Sequence, residues 1–254
     1  MVENRNMPQP ETPPLSIFDL DRTLTRRGTW TPFLLYAARR HAPWRLVLAP
    51  VVLVLMLGYK AGLISRKSLK ERMQAVMLGR RVSRARIAKI ADSYADHCLR
   101  TGVYAEGIAL MRAEQVAGRN VIIASAAFSF YLAAISERLG VAHVGTRSHW
   151  NGAALLARIE GENCYGPNKL RMIEAFMAEC AFDRASTHVR FYSDDLSDLP
   201  TFDWADEAVV VNPSARLARH AAGTGWPILD WRASGKAAIA SGSRDPQNLP
   251  VGAG

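Results

Sequence analysis

Cysteine is scarce. The chain has three in 254 residues, Cys98, Cys164 and Cys180, with no CxxC pair. An odd, dispersed set argues against a disulfide framework and a thiolate zinc site, and favours a reducing cytoplasm. The six histidines are scattered without metal-ligand spacing. There is no GxxxxGK(S/T) loop, so ATP use is not indicated. Helix-turn-helix, zinc-finger and aromatic RNA-binding signatures are also missing, which argues against nucleic acid as a partner. No internal repeat is seen. The first fourteen residues are polar and proline-rich, without the apolar stretch of a secretory signal, and read as a disordered lead-in. Residues 234–254, rich in Gly, Ala, Ser and Pro, read as a disordered tail.

Acids are scarce in one stretch above all. Between Arg22 and Arg100 there are 17 Lys or Arg and three acids, Glu71, Asp92 and Asp96. That segment carries +14, so the rest of the chain is −5 and the total is +9. A basic segment of this kind suits an anionic lipid surface, nucleic acid or an anionic small molecule. Long apolar runs are few. The longest, Leu46–Tyr59, has fourteen uncharged residues and contains Pro50. A spanning helix needs roughly 20 apolar residues. Basic residues flank the run: Arg39, Arg40 and Arg45 before it, Lys60, Arg66, Lys67 and Lys70 after it. Two readings stay open. The run is either a helix lying in a membrane surface or a helix packed among its neighbours.

What is present is an ordered set of short motifs. Leu15-Ser16-Ile17-Phe18 reads as a short buried strand, and Asp19-Leu20-Asp21-Arg22-Thr23 follows it. Two carboxylates at a strand end are costly to desolvate unless paired or bound to a cation. Hard oxygen ligands suit Mg²⁺, and an Asp can act as a covalent nucleophile toward phosphorus. By itself the motif is equally an Asp-rich turn. Three later features accompany it: Ser125 after Val121–Ala124, Lys169 opening a helical stretch after Gly166-Pro167-Asn168, and Asp194 and Asp198 after Arg190-Phe191-Tyr192.

From Leu15 to about Asp230 the order and content of these motifs resemble the haloacid dehalogenase (HAD) superfamily of phosphohydrolases. Within it, the likeness is to the subfamily that includes phosphoserine phosphatases and phosphatidylglycerophosphatase C. The segments that carry it are Phe18–Thr25, Ala124–Phe128, Gly161–Lys169 and Tyr192–Asp198. The resemblance implies that Asp19 is the nucleophile and becomes aspartyl-phosphate, and that Asp21 is general acid and then base. It implies Mg²⁺ held by Asp19, the backbone carbonyl of Asp21, and Asp194. Ser125 and Lys169 would bind the substrate phosphate, and Asp198 would orient Lys169 or metal-bound water. Thr23 would hold the loop through its hydroxyl.

Departures from the family pattern are Arg22 for a usual Gly, Ala126 and Ala127 for glycines after the motif Ser, and Asp195 and Ser197 in the last motif. Phosphoserine phosphatases carry a Glu nine residues after the nucleophile; here that residue is Gly28, which counts against phosphoserine.

From Glu106 onward helical and strand segments alternate, which predicts an α/β fold: a Rossmann-like parallel sheet with helices on both faces. Helical periods alone run from Thr29 to about Tyr104, so an inserted all-helical cap domain is expected, mobile in the resembled family. The expected organisation is a catalytic core of residues 15–28 and 105–233 with a cap of residues 29–104. The expected activity is a Mg²⁺-dependent phosphomonoesterase acting on an anionic phosphate ester, with a lipid-linked ester such as phosphatidylglycerophosphate as one candidate. The expected partners are a small phosphorylated substrate or a phospholipid, with peripheral contact to an anionic membrane through residues 39–70. The expected location is the cytoplasm, with a peripheral position at the inner face of the membrane as one candidate. Two alternatives remain: a soluble phosphatase for phosphoserine or another small metabolite, and a non-catalytic membrane- or nucleic-acid-binding module.

Overall fold

The computed structural model describes residues 13–232. The expectations for residues 1–12 and 234–254 lie outside the described residues. The first strand, β1 (Leu15–Phe18), has every residue buried, as a strand covered on both faces requires. Its neighbours are β3 (Asn120–Phe128) and β7 (Val189–Ser193), both parallel to it. With β4 (Ala142–Thr146), β8 (Glu207–Val211) and β9 (Ile228–Leu229) they form one sheet in the order β4-β3-β1-β7-β8-β9, every pairing parallel.

Side chains alternate across this sheet with period two. Leu15 and Ile17 face one layer, where α7 (Pro167–Glu179), α8 (Leu199–Trp204) and α9 (Ala215–Thr224) supply Ile173, Met177, Phe202 and Leu217. Phe18 faces the other layer, with Met111 of α5 (Ala105–Val116) and Tyr131 of α6 (Ser129–Leu139). Gly140 ends α6 in the left-handed conformation, φ +67°, which costs a glycine little. The α/β architecture read from the alternation is the architecture observed.

Between β1 and α5 lies the helical insertion. It contains α1 (Trp30–His41), α2 (Ala49–Lys60), α3 (Arg66–Met77) and α4 (Arg84–Thr101). Ser65 caps α3, its hydroxyl accepting the Ser68 N–H at 3.1 Å. Ser83 does not cap α4 through its side chain. It closes β2 (Arg81–Ser83), a three-residue strand within the segment that was expected to be helical. β2 pairs antiparallel with β6 (Ala154–Ile159), which forms a hairpin with β5 (Ser148–Asn151). A strand of three residues carries too little pattern to be read from sequence.

α3 is bonded to the same region of the core. Lys67 Nζ donates to Gly161 O, Gln74 Nε2 to Leu156 O, and Glu71 accepts the Ile159 N–H.

The apolar run is divided. Pro43–Leu48 forms a tight 3₁₀ turn, and α2 begins at Ala49 with Pro50 in its first turn, where a missing N–H costs nothing. Among the residues of α2 only Val52 is buried. Trp44, Val47, Val54 and Leu57 are 62%, 79%, 66% and 56% exposed. The run is therefore not the core of the helical layer, and its outer face has no protein cover among the described residues.

Candidate active site

In an open parallel sheet, ligands bind beyond the carboxyl ends of the strands, where the strand order reverses. Here β1 is that point, since the chain passes from β1 to β3 and β4 on one side and then to β7 on the other. Phe18 is in register with Tyr192, and the Asp19 N–H donates to Tyr192 O at 2.8 Å. Asp19 and the loop starting at Asp194 therefore leave the sheet side by side. The Thr23 hydroxyl joins the two loops, accepting the Asp194 N–H at 3.0 Å and donating to Asp194 Oδ1 at 3.3 Å.

Lys169, in the first turn of α7, enters this cluster from the side. It is 2% exposed. Its Nζ donates to Asp19 Oδ1 at 2.8 Å and to Asp198 Oδ2 at 2.6 Å. Ser193 also donates to Asp198 Oδ2, at 2.7 Å. Burial opposes the charge on Lys169, but Asp19 and Asp198 together hold its pKa above the usual lysine range. Burial pushes Asp19 up to about 7 against the pull of Lys169, with Asp198 and Asp21 adding repulsion. Burial and then Asp19 push Asp194 up to about 8.

One lysine therefore does not neutralise the cluster. Three carboxylates meet here with a single buried ammonium, and Asp198 Oδ1 is buried without a hydrogen-bond partner. Among the described residues no three His, Cys, Asp or Glu side chains converge on a cation position. The set expected for Mg²⁺ has two carboxylates and one backbone carbonyl, and two mutually repelling carboxylates, Asp19 buried and Asp194 partly so, fit a hard divalent cation.

Asp21 turns a different way. Its Oδ1 accepts both the N–H and the hydroxyl of Thr29, each at 2.7 Å. The Thr29 hydroxyl also meets Tyr131 OH at 2.9 Å, and Tyr94 OH donates to Thr29 O at 3.0 Å. Thr29 opens the helical insertion, so the entry to that segment holds the Asp21 carboxylate. Ser125 lies on β3, next to β1 at the same edge; it is buried, and its hydroxyl accepts the Ala127 N–H at 3.2 Å. The structure thus brings Asp19, Lys169, Asp198 and Asp194 together, while Asp21 and Ser125 make their bonds to neighbouring groups. Asp195 accepts the Ser197 N–H at 2.9 Å and shapes the local turn.

The departures from the family pattern have separate physical accounts. Arg22 has φ +65°, a left-handed position where glycine is unstrained and other residues pay roughly 1–2 kcal/mol. Its carbonyl accepts from Asn212 Nδ2 at 3.0 Å and its N–H donates to Thr25 Oγ1 at 3.3 Å. Ala126 and Ala127 lie in extended β3 and not among the positive-φ residues, so glycine is not required there. A side chain at position 28 would meet Asp21 Oδ2 at about 3.8 Å, measured to its Cβ.

A cavity of about 310 Å³ opens between this edge and the insertion, with Asp21, Arg22, Lys60, Arg66, Lys70 and Ala126 in its lining. In the sequence Lys70 reads only as one of the cations flanking the apolar run. It reaches from α3 into the core, donating to Ala126 O at 2.6 Å and Asn163 Oδ1 at 2.8 Å, and lies 4.2 Å from the Phe128 ring centroid. Burial and then Arg66 pull its pKa down to about 7. Thr29 and Tyr131 were equally unmarked. The one signal for Lys70 was the excess of cations in its stretch.

Comparison with known proteins bears on the family and the fold. A protein of Mycobacterium tuberculosis named a probable phosphatase is 31% identical over 130 residues, covering 51% of this chain and 44% of that protein, so the chain spans under half of that relative's length. A phosphoserine phosphatase of Mycobacterium tuberculosis is 27% identical over 233 residues, covering 88% of this chain and 72% of the relative. A solved structure of a Bordetella pertussis protein of unknown function shares the fold, with a TM-score of 0.76 and 23% identity over 87% of this chain and all of that one. The family model for haloacid dehalogenase-like hydrolases matches residues 17–203, a span that takes in both acidic loops and the whole helical insertion, and the chain belongs to that family.

Proposed function

We propose that the chain is a Mg²⁺-dependent phosphomonoesterase working through an aspartyl-phosphate. The observation that carries this reading is the Lys169 ammonium bridging Asp19 and Asp198 beside Asp194 at the switch point of the sheet. Asp19 attacks phosphorus, and the P–O bond to the leaving group breaks. Asp21, oriented by Thr29, gives its proton to the leaving oxygen and then takes one from the water that opens the aspartyl-phosphate, as reversal of the first step requires. Lys169 steadies the nucleophile and meets a phosphoryl oxygen, Asp198 positions Lys169, and Ser125 donates to the phosphoryl group. Asp19, Asp194 and the Asp21 carbonyl would hold Mg²⁺, which offsets the repulsion between an anionic nucleophile and an anionic ester. Residues 29–104 act as the cap that reads the leaving group. Asp19→Asn assayed on a chromogenic phosphate ester, with Mg²⁺ and with EDTA, tests the reading; undiminished Mg²⁺-dependent turnover ends it.

The ester we favour is lipid-linked. Four cations, Arg22, Lys60, Arg66 and Lys70, line the cavity against one carboxylate. The outer face of Pro43–Lys60 is apolar and exposed, and that 18-residue stretch is long and apolar enough to cross a membrane by length and composition. A surface position is supported instead by its anchorage. Val52 packs into the helical layer, and Arg45 donates to Ala75 O and Val76 O at the end of α3. An apolar helix face with basic flanks suits the interface of an anionic bilayer. Vesicles of phosphatidylcholine with phosphatidylglycerol should float the protein, and Val54→Glu with Leu57→Glu should release it.

A soluble phosphoserine phosphatase is the second reading, supported by the relative of that name. Gly28 in place of an acid, and a cavity with Asp21 as its one carboxylate among the described residues, speak against it. A panel of phosphorylated metabolites and lipids separates the two.

A further inference from the structure

The cavity at the catalytic edge shares part of its wall with a neighbour. Thr31, Met56 and Met73 line it and also line a second cavity of about 170 Å³ between α1, α2 and α3. The second cavity is walled by Leu34, Val52 and Met77 among other apolar side chains, and Thr31 supplies its one hydroxyl. We propose that this second cavity is a subsite for a hydrocarbon arm of the substrate, so that the substrate is an amphiphile: a phosphate monoester with an aliphatic chain within reach of the phosphate. The proposal rests on the phosphatase reading and gives the lipid-linked ester favoured there a site for its chain.

The order of groups along the two cavities carries the inference. Asp21 and the cations Arg22 and Lys70 line the first cavity, the side chains of Met56 and Met73 belong to both, and Leu34, Val52 and Met77 line the second. Leu34, Met73 and Met77 are at most 3% exposed, while Leu53 and Met56 open the second cavity to the surface. A polar leaving group placed against that wall would find one hydroxyl and otherwise no partner. An apolar void of about 150 Å³ stays dry and accepts benzene, so this space takes a chain of about six carbons. Methionine suits such a junction because its side chain adapts to irregular contents. The helix that walls the subsite, α2, is the one whose outer face is apolar and exposed. A chain held in a lipid layer would have a short path from that layer to the subsite. A metabolite phosphate without an alkyl arm would leave the second cavity unused.

The test is binding of a series of n-alkylphosphonates, methyl to decyl, to the full chain with Mg²⁺, measured by calorimetry. These compounds are not hydrolysed, so the result does not depend on turnover. Kd should fall about fourfold per added methylene, the value for transfer of one buried CH₂, over the roughly six carbons that enter the second cavity, and level off beyond them. Val52→Phe, which fills the cavity, should flatten the series. Leu34→Ala, which enlarges it, should move the plateau to longer chains. A flat series in the unaltered protein overturns the subsite, and so does a slope that Val52→Phe leaves intact. Turnover of a chromogenic ester is measured in parallel and reports on the phosphatase reading alone. A steep series in a protein that hydrolyses no ester keeps the subsite and discards the chemistry.

Discussion

Lys169→Met is the most informative single change, because the structure sets both its magnitude and its pH dependence. The substitution keeps the volume of the side chain and removes only the ammonium that holds Asp19 at 2.8 Å and Asp198 at 2.6 Å. All three side chains are nearly inaccessible, at 3%, 7% and 1% exposure. Breaking a buried pair by deleting one partner costs about 3–5 kcal/mol. A chain of this size loses about 2–4 °C of melting temperature per kcal/mol, so the expected loss is about 6–20 °C. The loss is not constant. Burial already lifts Asp19 to about 7 against the pull of the lysine, and without that pull it rises further. Asp19 is then neutral at low pH and costs little, but must ionise unpaired at high pH. The deficit should therefore be small at pH 5 and large at pH 8 in EDTA, and Mg²⁺ should restore part of it. Turnover should fall about 10²–10³-fold, as when one preorganised donor to developing charge is removed. Adding Asp198→Asn to Lys169→Met should recover stability without recovering turnover. Calorimetric melting at the two pH values is the assay. A melting temperature at pH 8 within about 2 °C of the parent would refute the reasoning, because it would mean that the cluster neutralises itself without the lysine.

Further outcomes follow from the same geometry. Arg22→Gly removes a left-handed non-glycine residue, so stability should rise by up to about 1 kcal/mol while KM for an anionic ester rises with the loss of a cavity cation; denaturant melts and steady-state kinetics check both. Metal-free protein should lose stability as pH rises from 5 to 8. Asp19 and Asp194 have folded values of about 7 and about 8 against 3.8 unfolded, so across that window the native state holds protons that the unfolded chain has released. Saturating Mg²⁺ replaces those protons and should flatten the profile; a profile indifferent to Mg²⁺ argues against the cation site. Lys70, depressed to about 7, is charged below that pH and neutral above it. Lys70→Met should therefore raise KM several-fold at pH 6 and have little effect at pH 8.5, and an equal effect at both would contradict the assignment.

The parts of the molecule legible in the sequence are those governed by local chemistry. An apolar tetrad ending in Asp-x-Asp announces a buried strand with charged groups at its end. Gly140 marks the end of a helix because the left-handed turn there suits a residue without Cβ. The alternation of segments after Glu106 implies parallel strands because each helix carries the chain back across the sheet. Other features have no local signature. Lys70 lies 49 positions after Asp21 and joins the cavity only because α3 is bonded to the β5–β6 hairpin through Lys67, Glu71 and Gln74. β2 is a strand because β6 offers it an edge.

The apolar run Leu46–Tyr59 shows the division most plainly. Composition and flanking charge are compatible with a core helix and with a surface helix, since both are apolar. Only the packing of Val52 inward with Val54 and Leu57 left outward decides between them. The sequence alone determined the strand-end carboxylates, the lysine that follows Gly-Pro-Asn and the concentration of positive charge, because residue type and short spacing suffice for these. Tertiary structure decided which cations line the cavity, how Thr29 holds Asp21, and where apolar space lies open, because each depends on contacts between segments far apart in the chain.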